Sequence, residues 1–148
     1  MAAKKIILLF CLSHFITFAD AQNITMEQTL AYINGKLENS YTIDVKKGLL
    51  LVTSYKEGVK MMDETSLITD LNPDVIYSEE EKSLILKCVD RDKCVQREQY
   101  LVKEKNYISR IKIVTPPDDI SVKGLQKAFL HLLKLIQEPK YKNAEPFE

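Results

Sequence analysis

The spacing of apolar positions predicts a helix soon after residue 25. Leu30 and Ile33 begin a series that repeats every three or four residues, the period of one helix face. Thr25 lies three residues before Gln28, which is the spacing of a capping box. In that motif each side chain accepts a hydrogen bond from the other residue's backbone. We therefore expect a first helix over about residues 26–38.

Seven short segments of β-type composition follow at intervals too short for intervening helices. Turn sequences separate the first three, at Lys46-Lys47-Gly48 and Lys56-Glu57-Gly58, and the link Leu71-Asn72-Pro73 precedes the fourth. Tight turns and short spacing favour antiparallel pairing over parallel strands joined by crossover helices. The predicted strands are 41–45, 49–55, 59–62, 75–77, 84–89, a sixth that starts at Cys94 and extends toward Val102, and 107–114.

A second, amphipathic helix is predicted after Pro116-Pro117-Asp118-Asp119, which ends the last strand. Asp119 or Ser121 is positioned to cap its free amides, and Glu138-Pro139 ends it. A step of about 100° per residue places most apolar side chains on one wide face centred on Leu125. Such a face is suited to covering the open end of a sheet. Its other apolar members are Ala128, Phe129, Leu132, Leu133, Leu135 and Ile136.

The order of elements predicts an α+β fold with an N-terminal helix, about seven antiparallel strands and a C-terminal capping helix. This order is similar to that of a pleckstrin-homology-like (PH-like) fold, in which the helix plugs one end of a bent sandwich or partial barrel. The chain also resembles uncharacterised small exported proteins of Bacteroidetes-type bacteria. That resemblance implies a fold and a compartment, and it brings no activity and no functional residues. The segments that carry it are 29–33 (TLAYI), 67–73 (LITDLNP), 124–133 (GLQKAFLHLL) and Glu145-Pro146-Phe147.

The first 21 residues have the pattern of a secretory signal peptide. The basic pair Lys4-Lys5 precedes the apolar run 6–19, and small residues stand at Ala19 and Ala21, the positions that signal peptidase reads. Cleavage is therefore expected between Ala21 and Gln22. A membrane anchor is the alternative interpretation, but about 14 apolar residues span about 21 Å of a roughly 30 Å hydrocarbon core.

Cleavage at this point would leave one domain over residues 22–138 and a polar tail over 139–148. The protein is then expected to be secreted or periplasmic, without a membrane span after the signal peptide is removed. Asn23-Ile24-Thr25 also forms an N-glycosylation sequon. We favour the simpler role for Thr25, that of a helix cap.

Charge gives no sign of a nucleic-acid partner. The chain has 21 basic and 21 acidic residues. The predicted leader contains Lys4, Lys5 and Asp20, so 19 basic and 20 acidic residues remain after cleavage, a formal charge of −1. A near-neutral domain lacks the positive field by which nucleic acid or anionic lipid is bound.

Two of the three cysteines remain after the predicted cleavage, Cys88 and Cys94. They flank a polar segment that contains aspartate, which predicts two strands of a hairpin joined by a disulfide. Closing so short a loop adds about 2 kcal/mol in the chain-entropy model. A redox or metal pair is the alternative, but redox dithiols have a Cys-x-x-Cys spacing and zinc needs four ligands. We expect neither a metal nor a cofactor.

The sequence offers little for catalysis, and we predict a protein that is not an enzyme. Apart from His14 in the predicted leader, His131 is the only histidine that could act as a base. No carboxylate pair stands in a recognisable setting, and the four glycines form no phosphate-binding loop. A small hydrolase would need a cleft that joins His131 to an acid and a hydroxyl.

A binding or interaction domain is the preferred hypothesis, with an envelope protein or a small ligand as partner. Loops at the open end of a sandwich and an exposed strand edge are suited to that role. Leu130 lies about 140° from Leu125 at about 100° per residue, on the polar side of the helix. A structural envelope-associated protein without a discrete ligand is the alternative. The candidate surface contacts are Leu130, Tyr55, Tyr77 and Tyr141.

Overall fold

The computed structural model describes residues 24–137, which form two helices and eight antiparallel strands in two sheets. The predicted α+β class is therefore confirmed. The predicted signal peptide with its cleavage site at Ala21 and Gln22, and the tail 139–148 with Tyr141, lie outside the described residues. The helices and strands are α1 (Met26–Leu37), β1 (Tyr41–Lys46), β2 (Leu49–Lys56), β3 (Val59–Leu67), β4 (Leu71–Ser78), β5 (Ser83–Cys88), β6 (Val95–Gln99), β7 (Glu104–Ile108), β8 (Arg110–Val114) and α2 (Asp119–Gln137). Short 3₁₀ turns occupy Glu38–Ser40, Ile68–Asp70 and Val89–Arg91.

The first helix has the predicted capping box. The backbone N–H of Gln28 donates to Thr25 Oγ1 at 3.2 Å, and the backbone N–H of Thr25 donates to Gln28 Oε1 at 2.9 Å. The helix buries Ile33 and Leu37 and ends there, because Glu38 has a left-handed φ of 42°. The prediction was accurate to within one residue at its C-terminal end.

The chain passes between the two sheets three times. The large sheet has the order β1-β2-β3-β6-β7 and the small sheet the order β4-β5-β8, so the crossings follow β3, β5 and β7. The prediction of a single seventh strand over 107–114 was wrong, since it is divided at Ser109 between the two sheets. The polar-apolar alternation continues through the division, and alternation alone does not reveal which strand will pair with each half.

Two strands are several residues longer than predicted, and in β3 the reason is that polar residues pair with a neighbouring strand. In β3 the polar residues Asp63 to Thr65 continue the register with β2, and Glu64 lies opposite Val52. The strand β4 starts at Leu71 and includes Pro73, with a bulge between Leu71 and Val75. As β4 is an edge strand, the missing N–H of proline breaks no interior ladder.

The apolar core lies between the sheets and is covered by both helices. Phe129 and Leu132 of α2 are fully buried, as are Leu84 of the small sheet and Leu50 of the large sheet. The side chain of Gln126 donates from Nε2 to Val75 O at 2.8 Å, which attaches α2 to β4. Neither of the described helices is long and apolar enough to cross a membrane.

Leu130 differs from its predicted exposed position. The side chain is half-buried and packs against the core. It lies four residues after Gln126 and therefore on the same helix face, the one that meets β4. The opposite flank of α2 packs on α1, where Gly124 lies beside Tyr32. Because β4 covers one flank of α2 and α1 covers the other, a wider part of the helix surface is buried than the apolar stripe in the sequence indicates.

The helix α2 is capped one residue earlier than predicted. Asp118 Oδ1 accepts a hydrogen bond from the backbone N–H of Ser121 at 2.7 Å. The prediction of Asp119 or Ser121 as the cap was therefore wrong. The segment offered two adjacent aspartates, and only the path of the chain out of β8 determines which of them lies outside the first turn.

The two cysteines form the predicted disulfide, but they do not belong to a hairpin. Cys88 ends β5 in the small sheet, and Cys94 directly precedes β6 in the large sheet, with their Cα atoms 5.8 Å apart. The bond therefore joins the sheets at one of the crossings. Two apolar runs around a polar segment are compatible with both arrangements, so the sequence could not distinguish them.

Candidate functional site

A cleft lies on both sides of the turn that connects α1 to β1. It has two lobes, with volumes of about 850 and 810 Å³. Both lobes are lined by the three residues of this turn, Glu38, Asn39 and Ser40. The turn therefore lies between the two lobes and forms part of the wall of each.

The first lobe is formed by α1, the start of β1 and the segment that leads into α2. Lys36 Nζ donates to Ser121 Oγ at 3.4 Å and lies 5.9 Å from the centroid of the Tyr32 ring. Tyr41 accepts a hydrogen bond at its hydroxyl from the backbone N–H of Val114 at 3.2 Å. This bond joins the start of β1 to the end of β8 and keeps the two walls of the lobe together.

Asp118 gives the first lobe a negative charge opposite Lys36. The backbone N–H of Ser121 lowers the pKa of the Asp118 carboxyl, and the Ser121 side chain and the Lys36 ammonium act in the same direction. The carboxyl is therefore ionised at neutral pH. The lobe presents one basic side chain, Lys36, and two acidic ones, Glu38 and Asp118, between aromatic rings, and hydroxyl groups lie alongside them.

The turn between the lobes is held in a strained backbone conformation. Glu38 has φ 42° and ψ −133°, and its backbone N–H donates to Asn34 O. The Asn34 side chain makes two bonds with β1, donating from Nδ2 to Ile43 O at 2.9 Å and accepting from Ile43 N at 2.7 Å. Strain of this kind persists only where the surrounding structure imposes it, and it is concentrated at functional sites.

The second lobe ends on the turn between β2 and β3. Tyr55 and Thr42 line it together with the turn residues Lys56, Glu57 and Gly58. Gly58 has φ 78°, which a residue with a Cβ rarely adopts. Tyr55 is the one predicted surface contact that the structure brings to the cleft.

The other two predicted contacts within residues 24–137 lie elsewhere. Leu130 and Tyr77 are half-buried against the core and do not line either lobe. Sequence reasoning did not identify Tyr32, Tyr41 or Lys36, the main side chains of the first lobe. The available signal was weak: Tyr32 and Lys36 lie four residues apart on a flank of α1, beside its apolar series.

His131 lines a separate, smaller pocket of about 580 Å³ between α1 and α2. Its Nε2 lies 3.0 Å from Ile24 O, and the hydroxyls of Thr29 and Tyr32 line the same pocket. Thr29 Oγ1 donates to Thr25 O at 2.8 Å. The lining of this pocket brings hydroxyls to His131 but includes no carboxylate.

The outer face of the large sheet carries a polar network centred on Asp63. The carboxylate accepts hydrogen bonds from Thr53 Oγ1 at 2.7 Å and from the Tyr100 hydroxyl at 2.5 Å, and Lys60 Nζ lies 2.7 Å away. Burial alone would raise the pKa of Asp63, but these partners together lower it. Within residues 24–137 no group of three or more histidine, cysteine or acidic side chains is placed to hold a metal ion.

Comparison of the chain with protein-family models, with curated proteins and with solved structures finds no match. The PH-like arrangement therefore stays a prediction from the order of the elements.

Proposed function

We propose that this chain is a non-enzymatic, secreted or periplasmic interaction domain that binds an extended segment of a partner protein in the two-lobed cleft. The observation that carries the proposal is the composition of the lining. Three tyrosines, Tyr32, Tyr41 and Tyr55, line it together with small polar residues and two glycines. The small polar residues and glycines of the lining are Gly35, Asn39, Ser40, Thr42, Gly58, Thr115 and Ser121.

This combination of residue types is typical of surfaces that bind proteins. Tyrosine supplies a large amphipathic contact area at a low cost in side-chain entropy, because it has only two rotatable side-chain bonds. Serine, asparagine and glycine supply hydrogen bonds that adapt to the partner. Each lobe of the cleft has both kinds of residue.

The shape of the cleft favours an extended partner. Its two lobes follow one another across Glu38–Ser40, so a ligand that fills both must pass over this turn. The charges are mixed, with Lys36 and Asp118 in the first lobe and Lys56 and Glu57 in the second, and Glu38 lines both lobes. A peptide segment with polar and charged side chains of both signs matches this pattern better than an apolar small molecule does.

The disulfide supports the proposed compartment. Bonds of this kind persist in oxidising environments such as the periplasm and the extracellular space. The predicted signal peptide points to the same compartments.

The proposal can be tested by site-specific photo-crosslinking in cells that express the protein. A photoreactive amino acid is placed at Asn39 or Tyr55 in the cleft, and at the exposed control position Glu80 in the turn between β4 and β5. We expect the same protein adduct from both cleft positions and none from position 80. The charge substitution Ser40→Arg should abolish the adduct at position 55, whereas Glu80→Arg should leave it unchanged.

Two outcomes would contradict the proposal. Adducts of equal yield at all three positions would indicate nonspecific contact. An absence of adducts at both cleft positions, in protein that is exported and folded, would favour the alternative of a structural envelope protein without a discrete partner.

A further inference from the structure

Four exposed apolar side chains gather at one end of the large sheet. Val59 begins β3, and Tyr100, Leu101 and Val102 form most of the turn between β6 and β7. Their exposed fractions are 57% for Val59, 38% for Tyr100, 70% for Leu101 and 63% for Val102. We refer to these four residues as the tip.

The two turns that carry the tip are held side by side. The backbone N–H of Tyr100 donates to Met61 O at 3.0 Å, which ties the second turn to β3. The Tyr100 hydroxyl donates to Asp63, and Lys60 Nζ lies 4.7 Å from the centroid of the Tyr100 ring. Asp63 also accepts from Thr53 of β2, so two strands and the turn between β6 and β7 share one carboxylate. The tip is therefore a preorganised surface.

The charges around the tip balance one another. Two of the lysines form ion pairs, Lys60 with Asp63 at 2.7 Å and Lys105 with Glu98 at 3.1 Å. Lys56 and Lys103 lie beside Glu57 and Glu104 in the sequence of the turns. A balanced surface has no long-range attraction for a charged partner. Contact at the tip must therefore be driven by its apolar side chains.

The size and shape of the tip limit what can bind there. The exposed parts of the four side chains amount to an apolar patch on the order of 300 Å². A standard protein interface buries roughly 800 Å² on each partner. The aliphatic pair Leu101-Val102 stands in a hairpin turn, which projects from the sheet instead of forming a groove. A small convex apolar surface is poorly suited to a stable dimer or to a groove-binding peptide.

The residue types match those found where a protein meets a lipid bilayer. Tyrosine is enriched at the level of the lipid headgroups, where its ring is in apolar surroundings and its hydroxyl remains in contact with water. Lysine side chains can lie along apolar surface and keep the ammonium group in water. Tyr100 and the surrounding lysines supply these features, and Leu101 and Val102 supply the part that inserts.

We propose that the tip is a peripheral contact with a lipid bilayer, in which Leu101 and Val102 enter the boundary between headgroups and acyl chains. This contact does not involve the residues of the two-lobed cleft. It is weak and reversible, because even a whole myristoyl chain gives only marginal binding. It requires no anionic lipid, since the tip has no surplus of positive charge.

Vesicle flotation with the full chain, as the cell exports it, tests this proposal. Vesicles of phosphatidylcholine alone are compared with vesicles that also contain phosphatidylglycerol, each at low and high salt and at millimolar lipid. The test variant is Leu101→Ser with Val102→Ser, at two exposed positions. The control is Ile120→Ser in the first turn of α2, where the isoleucine is 83% exposed and lies outside the tip.

We expect the unmodified protein and the Ile120→Ser variant to float with both kinds of vesicle, with little effect of salt. The double serine variant should lose at least tenfold in the bound fraction while its melting temperature stays unchanged. Flotation only with anionic vesicles at low salt, or equal flotation of the double variant, would overturn the proposal. So would an absence of binding by the unmodified protein, or a dimer in sedimentation analysis that the double variant abolishes.

Discussion

Glu64 and Arg97 lie opposite one another on β3 and β6, with Arg97 Nη2 2.6 Å from Glu64 Oε1. Arg97 Nε donates to the same oxygen at 2.9 Å. Glu64 is only 1% exposed, and its other oxygen, Oε2, has no hydrogen-bond partner within the described residues. Burial raises the pKa of this carboxyl, and Arg97 only partly opposes the effect.

Replacement of Arg97 by methionine should destabilise the protein by about 3–5 kcal/mol at pH 8, because it leaves a buried carboxylate without its counter-charge. The penalty should be smaller at pH 5. The folded-state pKa of Glu64 lies above the unfolded value of 4.5. The protein therefore loses stability as pH rises from 4.5 through the folded-state pKa, because the buried carboxyl becomes charged. Urea unfolding at both pH values measures this difference.

Arg110→Met is the matched control for this prediction. Arg110 lies 3.5 Å from Glu81 on the surface, and its side chain is 48% exposed. Its loss should cost less than about 1 kcal/mol at either pH. Equal effects of the two substitutions would show that the buried pair has no special role.

Replacement of both Cys88 and Cys94 by alanine should lower the free energy of unfolding by about 2 kcal/mol. The bond closes a short loop, for which the chain-entropy model gives a stabilisation of this size. Chemical denaturation of the variant, compared with the disulfide-bonded native protein, measures the effect. Free thiols at these positions in the isolated protein would contradict the pairing itself.

Gly124→Ala tests the contact between α1 and α2. Alanine in place of glycine inside a helix normally stabilises by about 1 kcal/mol. A Cβ at position 124 would overlap the Tyr32 hydroxyl, so Tyr32 would have to move. We expect no gain in the native background and the full gain in a Tyr32→Ala background. A double-mutant cycle from thermal unfolding gives the coupling, and simple additivity would contradict the contact.

Asp63→Asn should cost about 1 kcal/mol at pH 7 and reduce the acid sensitivity of the protein. Burial by itself raises the pKa of Asp63, but its bonds with Lys60, Tyr100 and Thr53 bring it below the ordinary value of 3.8. The stabilisation is therefore present above pH 3.8 and is lost as pH falls through the folded-state pKa. Urea unfolding at pH 7 and pH 3 measures the change, and a loss of equal size at both pH values would contradict it.

Asp118→Ala should destabilise the protein by about 1 kcal/mol, and Asp119→Ala should have much less effect. Only Asp118 accepts the hydrogen bond from Ser121 N that closes the first turn of α2. Thermal unfolding of the two single variants measures this difference. Both variants remove one negative charge, so a larger loss for Asp118→Ala is due to the capping hydrogen bond and not to charge alone. A larger effect of Asp119→Ala would indicate that Asp119 caps the helix, as one of the two predictions from the sequence had it.

Features that depend on neighbouring residues were predictable from the sequence. The capping box of Thr25 and Gln28, the turn at Gly58 and the apolar face of α2 each arise within a few residues. Which strand pairs with which depends on contacts between distant parts of the chain. For that reason the division at Ser109 and the position of the disulfide between sheets were missed.

The cleft was hard to predict for the same reason. Its first lobe joins Tyr32 and Lys36 of α1 to Asp118 and Ser121, more than eighty positions further along the chain. Tyr55 was found because a tyrosine near a turn is a candidate contact wherever the turn lies. The folded arrangement alone brings the other lining residues together.

The three crossings between the sheets determine how the protein can be dissected. A break between β5 and β6 would give a first fragment with three strands of the large sheet and two of the small one. No single break gives one fragment with the whole of one sheet and a second with the whole of the other. Split reporters and truncated pieces of this domain should therefore be insoluble or unfolded, and functional studies will need point substitutions in the intact chain.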